Sequence, residues 1–376
     1  MTWPARLLAV LTLGTALPAH AQVPQSPGRA AAEPRASSFA REVAALSEPG
    51  RYFDTDNLIS NESSYLHPIP ALRRLGVRGG AYIGVGPDQN FAYIAAIRPR
   101  VAYIVDIRRD NLLQHLLLRA LMVEAPTRIE FLAHLLGRTT PADPGAWRRR
   151  GIGELTRYMA AADLDAKAVA ARRDRLFSTL RGFGVTLSAA DLATIERFHE
   201  EFMQQGLGLR FTTHGREAQW YYPTYQQLLE EHDRAGRQSG FLASETDYAF
   251  LREMQRDGRI IPVVGDLAGT HALRAVAARI RRAGLRVSAI YTSNVEFYLS
   301  GPGQFAQYAE NMAGLPRDER SIIIRSYFPG RWGRHPRAVE GYHTTQLLQR
   351  VRDFVEGNER GEFATYWDLV TRRMTE

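Results

Sequence analysis

Polar and glycine residues follow four short apolar segments of the sequence, and together they could hold a nucleoside. The first group is the run from Gly84 to Asn90, which reads GVGPDQN. Glycine permits a sharp turn and lets the backbone approach a ligand, and the helix that follows offers free backbone N–H groups. The other three groups are Asp106, Gly265-Asp266 and Thr292-Ser293-Asn294.

The loop from Gly84 to Asn90 differs from the dinucleotide-binding fingerprint at one position. That fingerprint has a third glycine three residues after the second, and here Gln89 occupies that position. Asp88 adds a negative charge where a phosphate would lie, which favours a ligand that carries hydroxyl groups or a positive charge. Alternatively, Gly84 and Gly86 form only a tight turn between a strand and a helix.

Asp106 lies twenty residues after Gly86 and ends the next apolar segment. A carboxylate at this point can accept two hydrogen bonds from a ribose diol. The alternative is that Asp106 pairs with a neighbouring arginine or caps the helix that begins near Leu112. For Asp266 and Asn294, the alternative to ligand contact is a cap on the helix that follows.

The segment from 54 to 65 precedes the first of these apolar runs and is dense in hydrogen-bonding side chains. If this segment lies beside a binding cleft, it would cover a bound ligand, and Glu62 could bind a cation. The alternative, which we favour from the sequence, is the start of a helix with Asn61 as its cap and Glu62 in its first turn.

Five segments predict buried strands because each is a short apolar run, rich in β-branched or aromatic residues. They are residues 81–85, 101–107, 259–266, 286–293 and 321–327. Helical patterns separate them, at 88–97, 112–124, 271–284 and 304–314. This alternation predicts an α/β fold with a Rossmann-like parallel sheet flanked by helices. Pro262 predicts that the third strand does not lie in the centre of the sheet, or that this strand contains a bulge.

The segment between the second and third strands is about 150 residues long and mostly helical in pattern. It is too long for a single crossover, so we expect a helical insertion over about 112–257. Within it, Ser188 can cap a helix at 187–206, and the aromatic and polar run at 214–233 could form a lid or serve ordinary packing. Near the end of the chain, residues 340–375 predict two helices.

The beginning of the chain predicts export. Arg6, an apolar run from Leu7 to Leu17, and Ala19-His20-Ala21 have the form of a secretory signal with its cleavage site, so residues 1–21 are expected to be a signal peptide. We therefore expect a periplasmic or secreted protein that begins at Gln22. Residues 22–38, rich in Pro, Ala and Ser, predict a flexible leader before a domain at 39–376.

Composition argues against several functional classes. The sequence has no cysteine, which rules out disulfides and thiolate metal sites. The net charge of +8 comes from arginine, with Lys167 the only lysine, and the arginine runs lie beside acidic residues without the basic stripe typical of nucleic-acid binders. We therefore expect no nucleic-acid partner. The histidines lack metal-ligand spacing, and no later apolar stretch approaches the ~20 residues of a membrane span.

The four strand ends resemble those of class I S-adenosylmethionine-dependent methyltransferases. In that family a glycine-rich loop after the first strand contacts the methionine part of the cofactor, an acidic residue after the second holds the ribose, an aspartate after the third faces the adenine, and the loop after the fourth faces the substrate. The resemblance covers roughly residues 77–110 and 258–327. The positions expected to bind the cofactor are Gly84, Gly86, Asp88, Asn90, Asp106, Asp266, Ser293 and Asn294.

The sequence also departs from that family. Tyr82 stands where an acidic residue usually precedes the first glycine, Asp88 replaces the third glycine, and the strand pair that completes the sheet is not recognisable. As a whole, the chain resembles a poorly characterised group of bacterial and plant proteins described as methyltransferase-like.

The resemblance implies a small-molecule site for S-adenosylmethionine or a related nucleoside, with methyl transfer to an unknown acceptor near Asn294, Tyr291 or Tyr298. The alternative is a non-enzymatic exported protein whose Rossmann-like cleft binds a ligand or a partner. S-adenosylmethionine is made and used in the cytoplasm, so either the prediction of export is wrong, or the pocket holds another ligand, or a former cofactor site has become a binding or structural feature.

Overall fold

The computed structural model describes residues 37–215 and 217–375. The signal peptide expected at 1–21 and most of the leader expected at 22–38 lie outside the described residues. The last residue of that leader, Ser38, begins the first helix. Ser37 is its N-cap, and the hydroxyl of Ser37 accepts a hydrogen bond from the backbone N–H of Ala40 at 3.1 Å.

Strands and helices alternate through most of the described residues. The strands are β1 (Ala81–Gly84), β2 (Val101–Asp106), β3 (Ile260–Val264), β4 (Val287–Ser293), β5 (Ile322–Tyr327) and β6 (Thr345–Arg350). The α-helices are α1 (Ser38–Leu46), α2 (Ile69–Arg74), α3 (Gln89–Ile97), α4 (Arg109–Glu124), α5 (Arg128–Leu135), α6 (Ile152–Ala161), α7 (Ala166–Gly182), α8 (Ala189–Gln205), α9 (Tyr225–Glu230), α10 (Glu245–Arg256), α11 (Ala272–Arg282), α12 (Gln304–Ala313), α13 (Val351–Glu359) and α14 (Tyr366–Thr371). A 3₁₀ helix at Val295–Tyr298 follows β4.

The six strands form one sheet in the order β3-β2-β1-β4-β5-β6. Strands β1 to β5 are parallel, and β6 is antiparallel to β5. The sequence prediction of an α/β, Rossmann-like sheet flanked by helices is confirmed. Pro262 lies on the edge strand β3, where it pairs with Ile104 of β2 in regular register, so its missing N–H leaves no gap in the interior of the sheet.

The prediction of two helices over 340–375 was wrong in part, because β6 occupies its beginning. The sequence of β6, TQLLQR, contains only two apolar residues, Leu347 and Leu348. Its strand conformation depends on the ladder with β5, and such long-range pairing leaves little signal in a local pattern. The two helices that follow, α13 and α14, occupy the rest of the segment.

Helices α4 to α10 lie between β2 and β3 in the chain. Helix α4 packs against β2 and β3 on one side and against α5, α7, α8 and α10 on the others, which explains why it is buried nearly all round. Helix α8 begins with the predicted cap, since Ser188 and Asp191 form a capping box. None of the helices in residues 37–215 and 217–375 is long and apolar enough to cross a membrane.

Candidate ligand-binding site

A cavity of about 390 Å³ lies at the carboxyl ends of the parallel strands. Its walls come from the loops after β1, β2, β3, β4 and β5, together with residues 51–62 and parts of the long segment between β2 and β3. Five of the residues singled out from the sequence line it: Gly86, Asp106, Asp266, Ser293 and Asn294. The other three, Gly84, Asp88 and Asn90, do not line it.

The loop after β1 is held from the inside by Asn90. The Nδ2 group of Asn90 donates to the backbone carbonyls of Val85 and Pro87, both at 2.8 Å, and its Oδ1 accepts a hydrogen bond from the hydroxyl of Tyr82 at 2.7 Å. Gly86 has a φ of +79°, a left-handed conformation that favours glycine. Asn90 and Tyr82 therefore shape the turn that presents Gly86 to the cavity, and they do so without facing the cavity themselves.

Gly84 has a packing reason to be glycine. A Cβ at this position would lie 2.8 Å from the Tyr82 hydroxyl and still closer to Oδ1 of Asn90. Both side chains are fixed by their hydrogen bonds, so they cannot move aside without breaking the loop.

Gly84→Ala is therefore expected to lower the free energy of unfolding by about 3 kcal/mol, the upper part of the usual range for overpacking. The matched control is Gly153→Ala, because a Cβ at Gly153 on helix α6 would meet nothing within 4 Å. Urea denaturation of both variants measures the difference. Equal midpoints for the two variants would contradict this explanation of Gly84.

Asp106 ends β2 and forms a two-pronged ion pair with Arg108. Oδ1 of Asp106 accepts from the backbone N–H and Nε of Arg108 at 2.9 and 3.1 Å, and Oδ2 accepts from Nη2 at 3.1 Å. Arg108 also donates to the backbone carbonyls of Thr55 and Asp56, at 3.0 and 2.7 Å. The arginine pairing left open by the sequence is present, and it attaches the end of β2 to the segment that precedes β1.

Asp266 also interacts with an arginine at the cavity. Its Oδ2 accepts from Nη1 of Arg51 at 3.1 Å, and its Oδ1 accepts from the backbone N–H of Ala268 at 2.8 Å. The helix cap that was the alternative role for Asp266 is absent, because α11 starts only at Ala272. In the described part of the chain, no group of three His, Asp or Glu side chains is placed to hold a metal ion.

The end of β4 is irregular. The pairing with β5 shifts register between Tyr291 and Ser293, and Ser293 has a φ of +52°, which is uncommon for a residue with a side chain. Asn294 occupies the N-cap position of the 3₁₀ helix, but its side chain makes no capping hydrogen bond. The irregular strand end turns the Ser293 hydroxyl toward Glu62, to which it donates a hydrogen bond.

Glu62 lies at the cavity and is only 1% exposed. Our favoured interpretation of this segment, a helix start with Glu62 in its first turn, was wrong: the first helix after it is α2, which begins at Ile69. Glu62 accepts hydrogen bonds from four side chains that lie 229 to 284 residues further along the chain. Sequence reasoning identified the residue but not its environment.

Asp88 points away from the cavity, toward the helices between β2 and β3. It is 5% exposed, and its Oδ2 accepts a hydrogen bond from the hydroxyl of Tyr225 on α9 at 3.0 Å. Burial raises the pKa of Asp88 from 3.8 to about 6, although the hydrogen bond from Tyr225 opposes the shift.

His115 lies behind Gly86. Burial lowers the pKa of His115 to about 4, so the neutral ring donates from Nε2 to the Gly86 carbonyl at 2.9 Å.

Aromatic rings form much of the remaining wall. Phe53 and Tyr298 meet edge to face with their ring centroids 5.2 Å apart. Phe297 and Tyr298 remain 51% and 43% exposed. The run at 214–233 contributes Tyr221 and Tyr222 to the cavity. The aromatic residues that line the cavity are Phe53, Phe211, Tyr221, Tyr222, Phe297, Tyr298, Phe328 and Tyr366.

The sheet order and this cavity define a Rossmann-like α/β protein with a ligand-sized pocket at the carboxyl ends of its strands. The chain matches the family described as domain of unknown function (DUF7790) over residues 58–140 and 193–362, and it belongs to that family. The matched residues include Glu62 and all eight positions singled out from the sequence, whereas Arg51 and Phe53 lie outside them. No curated protein matches the chain.

Proposed function

We propose that the cavity binds S-adenosylmethionine or a related nucleoside. The observation that carries this proposal is the meeting of Gly86, Asp106 and Asp266 around one open cavity, although Asp266 lies 160 residues after Asp106 in the chain. In open α/β sheets, ligands bind outside the carboxyl ends of the strands, where the strand order reverses. Here that point lies between β1 and β4.

The size and lining of the cavity support a ligand of this class. Its volume of about 390 Å³ falls within the roughly 300–1,000 Å³ of small-molecule sites. Asp106 already accepts three hydrogen bonds from Arg108, two at Oδ1 and one at Oδ2, so one of the roughly four lone-pair sites of a carboxylate remains, on Oδ2, for a ribose hydroxyl. Phe53 and Tyr298 supply apolar surface against which a planar base can pack.

Methyl transfer is the reaction that such a ligand supports. It depends mainly on the alignment of an acceptor with the methyl group, so it needs no dedicated acid and base. Of the three side chains considered for the acceptor, Asn294 and Tyr298 line the cavity, whereas Tyr291 does not. We further propose that the segment at about 112–257, which contains most of α4 and helices α5 to α10, is a helical insertion in the α/β fold and supplies the wall that contains Tyr221 and Tyr222.

A second candidate is a non-enzymatic exported protein that keeps the cavity for another ligand. The observation that favours it is the engagement of both acidic strand ends, Asp106 by Arg108 and Asp266 by Arg51, at N–O distances of 3.1 Å. In this case, the carboxylates hold the loops together, and neither is reserved for a ribose or an adenine.

Calorimetric titration of the full chain with S-adenosylmethionine and S-adenosylhomocysteine separates the two candidates. We expect binding of both ligands, and we expect Asp106→Asn to weaken it at least about tenfold, or about 1.4 kcal/mol. The matched control is Asp257→Asn, at the amino end of β3 and away from the cavity, which should bind as the wild type does. The absence of any heat at millimolar ligand would reject nucleoside binding and favour the second candidate.

A further inference from the structure

Glu62 is a buried carboxylate that is surrounded by neutral hydrogen-bond donors. Its Oε2 accepts from the hydroxyl of Tyr291 at 2.7 Å, from Nε2 of Gln346 at 3.1 Å and from the hydroxyl of Ser326. Its Oε1 accepts from the hydroxyl of Ser293. None of these four donors carries a positive charge, so the hydrogen bonds orient the carboxylate without neutralising it.

The other acidic residues that line the cavity are paired with arginines, and so is the buried Glu296; Asp88, for which the described residues contain no ion-pair partner, faces Tyr225 and does not line the cavity. Asp106 pairs with Arg108, Asp266 with Arg51, and Glu296 with Arg325. Among the described residues, Glu62 has no such ion pair. Removing an anion from water costs several kcal/mol even in a relaxed protein environment, and a nearby positive charge is the usual compensation. Because Glu62 lines the cavity, a bound ligand can supply that charge.

A second hydrogen-bond acceptor lies beside Glu62. Gln89 is 6% exposed and lines the cavity, and its Oε1 has no hydrogen-bond partner among the described residues. The network fixes the orientation of this amide. Burial, and next to it the charge of Glu62, raises the pKa of Tyr291 well above its ordinary value, so the hydroxyl keeps its proton and donates it to Glu62. Nε2 of Gln89 must then be the group that faces the Tyr291 oxygen, at 3.3 Å, which leaves Oε1 as the free acceptor.

The position of Glu62 along the sheet separates it from the two acidic strand ends. Its donors come from the ends of β4 and β5 and from β6, whereas Asp106 and Asp266 end β2 and β3. The exposed ring of Phe297 follows β4 and contacts Tyr366, with ring centroids 5.5 Å apart, and Tyr366 stacks on Tyr327 of β5 on the same side of the cavity. Aromatic faces attract organic cations, most strongly where water is excluded.

We infer that this half of the cavity is a subsite for a small organic cation, a second ligand whose ammonium group pairs with Glu62. The inference deepens the proposed function and rests on it only for the statement that a nucleoside occupies the other half. The ammonium group is an anchor in this arrangement, and no chemical step is assigned to it.

The test compares cations with neutral molecules of the same shape on the wild-type chain. The probes are choline against 3,3-dimethylbutan-1-ol, and phenethylamine against 2-phenylethanol, each titrated while ligand-observed NMR or the melting temperature is followed. We expect the charged member of at least one pair to bind at least about tenfold more tightly than its neutral counterpart. No preference for charge in either pair would overturn the inference, and this comparison requires no variant to fold.

Glu62→Gln then shows whether the preference depends on this carboxylate. The glutamine keeps a carbonyl oxygen for the hydroxyl donors but has no charge, so the preference for the cation should disappear while the neutral probes bind as before. Asp257→Asn is the matched control and should keep the preference. A preference that persists in a folded Glu62→Gln variant would overturn the assignment to Glu62.

Titration of the same variant with S-adenosylhomocysteine separates this inference from the proposed function. Unchanged affinity supports a second, cationic ligand at Glu62. If the affinity falls while the wild type shows no preference among the amine probes, the cation is the amino group of the nucleoside ligand itself, and the second-ligand inference is overturned. If S-adenosylhomocysteine fails to bind the wild type, the proposed function fails, and the amine probes still decide the role of Glu62.

Discussion

Replacing Arg325 by methionine is expected to lower the free energy of unfolding by about 3–5 kcal/mol, which is among the largest losses that one substitution in this chain can cause. Arg325 on β5 and Glu296 in the 3₁₀ helix after β4 form an ion pair at 2.8 Å, and both side chains are 1% exposed. Removing one partner leaves the other as a buried, uncompensated charge. Glu296→Gln should therefore be costly as well.

The network around the pair makes this expectation specific. The same oxygen of Glu296 also accepts from the hydroxyl of Tyr308 at 2.7 Å, and Nη1 of Arg325 donates to Gln349 on β6 at 2.7 Å. The pair thus joins β5, β6 and α12 to the 3₁₀ helix that carries Tyr298 into the cavity wall. We expect the single variants to weaken ligand binding together with stability.

Equilibrium urea denaturation of the two single variants and the double variant measures the coupling. The double variant, Arg325→Met with Glu296→Gln, should lose less than the sum of the two single losses, by roughly 1–3 kcal/mol, because it leaves no unpaired charge. Glu253→Gln is the control, since the side chain of Glu253 is 67% exposed and its pair with Arg259 should contribute roughly 1 kcal/mol or less. Strictly additive losses would show that the charges of Arg325 and Glu296 are compensated elsewhere.

The strands could be predicted from the sequence because each is a dense apolar run that is buried on both faces. The five predicted strands agree with β1 to β5 within two residues at each end. Strand β6 was missed because its polar residues have buried partners: Gln349 meets Arg325, and Gln346 meets Ser326 and Glu62. A strand that is stabilised by side chains far away in sequence has no local apolar pattern to reveal it.

The candidate site was likewise predictable only in part. Topology alone brings Gly86, Asp106 and Asp266 to one edge of the sheet, and all three line the cavity. The arginine beside Asp106 was visible in the sequence as Arg108, two residues later, and it was left as an alternative. Glu62 could not be understood in this way, because its donors are brought together only by the folded sheet.

The position of Asp88 in the loop after β1 is compatible with two roles, ligand contact and a structural contact, and the structure distinguishes them. In sequence it follows the two glycines of a nucleotide-binding turn, which favours a direct role in the cavity. In the structure its carboxylate faces Tyr225 on α9, so it connects the loop after β1 to the long helical segment. Its ionisation should therefore affect stability more than ligand contact.

Relative to Asp88→Asn, the wild type should lose free energy of unfolding as the pH rises from about 4 to about 6, because the buried carboxyl of Asp88 ionises over this range. Burial raises the pKa of Asp88 from 3.8 to about 6, so the folded chain holds the proton more tightly than the unfolded chain does. The stabilisation from this carboxyl is present below the unfolded pKa and is lost as the pH passes the folded pKa. A shift of about two units corresponds to about 3 kcal/mol, so the asparagine variant should exceed the wild type by roughly that amount at pH 8.

Two further variants show whether the effect belongs to the contact with α9. Tyr225→Phe removes the hydrogen bond that holds the pKa of Asp88 down, so the loss of stability should extend to higher pH and grow larger. Asp257→Asn, at an exposed acid, should leave the pH profile as it is. Thermal melts of the four proteins between pH 4 and pH 8 give the comparison. If the asparagine variant is less stable than the wild type at pH 8, the buried charge of Asp88 must have a compensating partner, and the carboxylate would then hold the loop and α9 together.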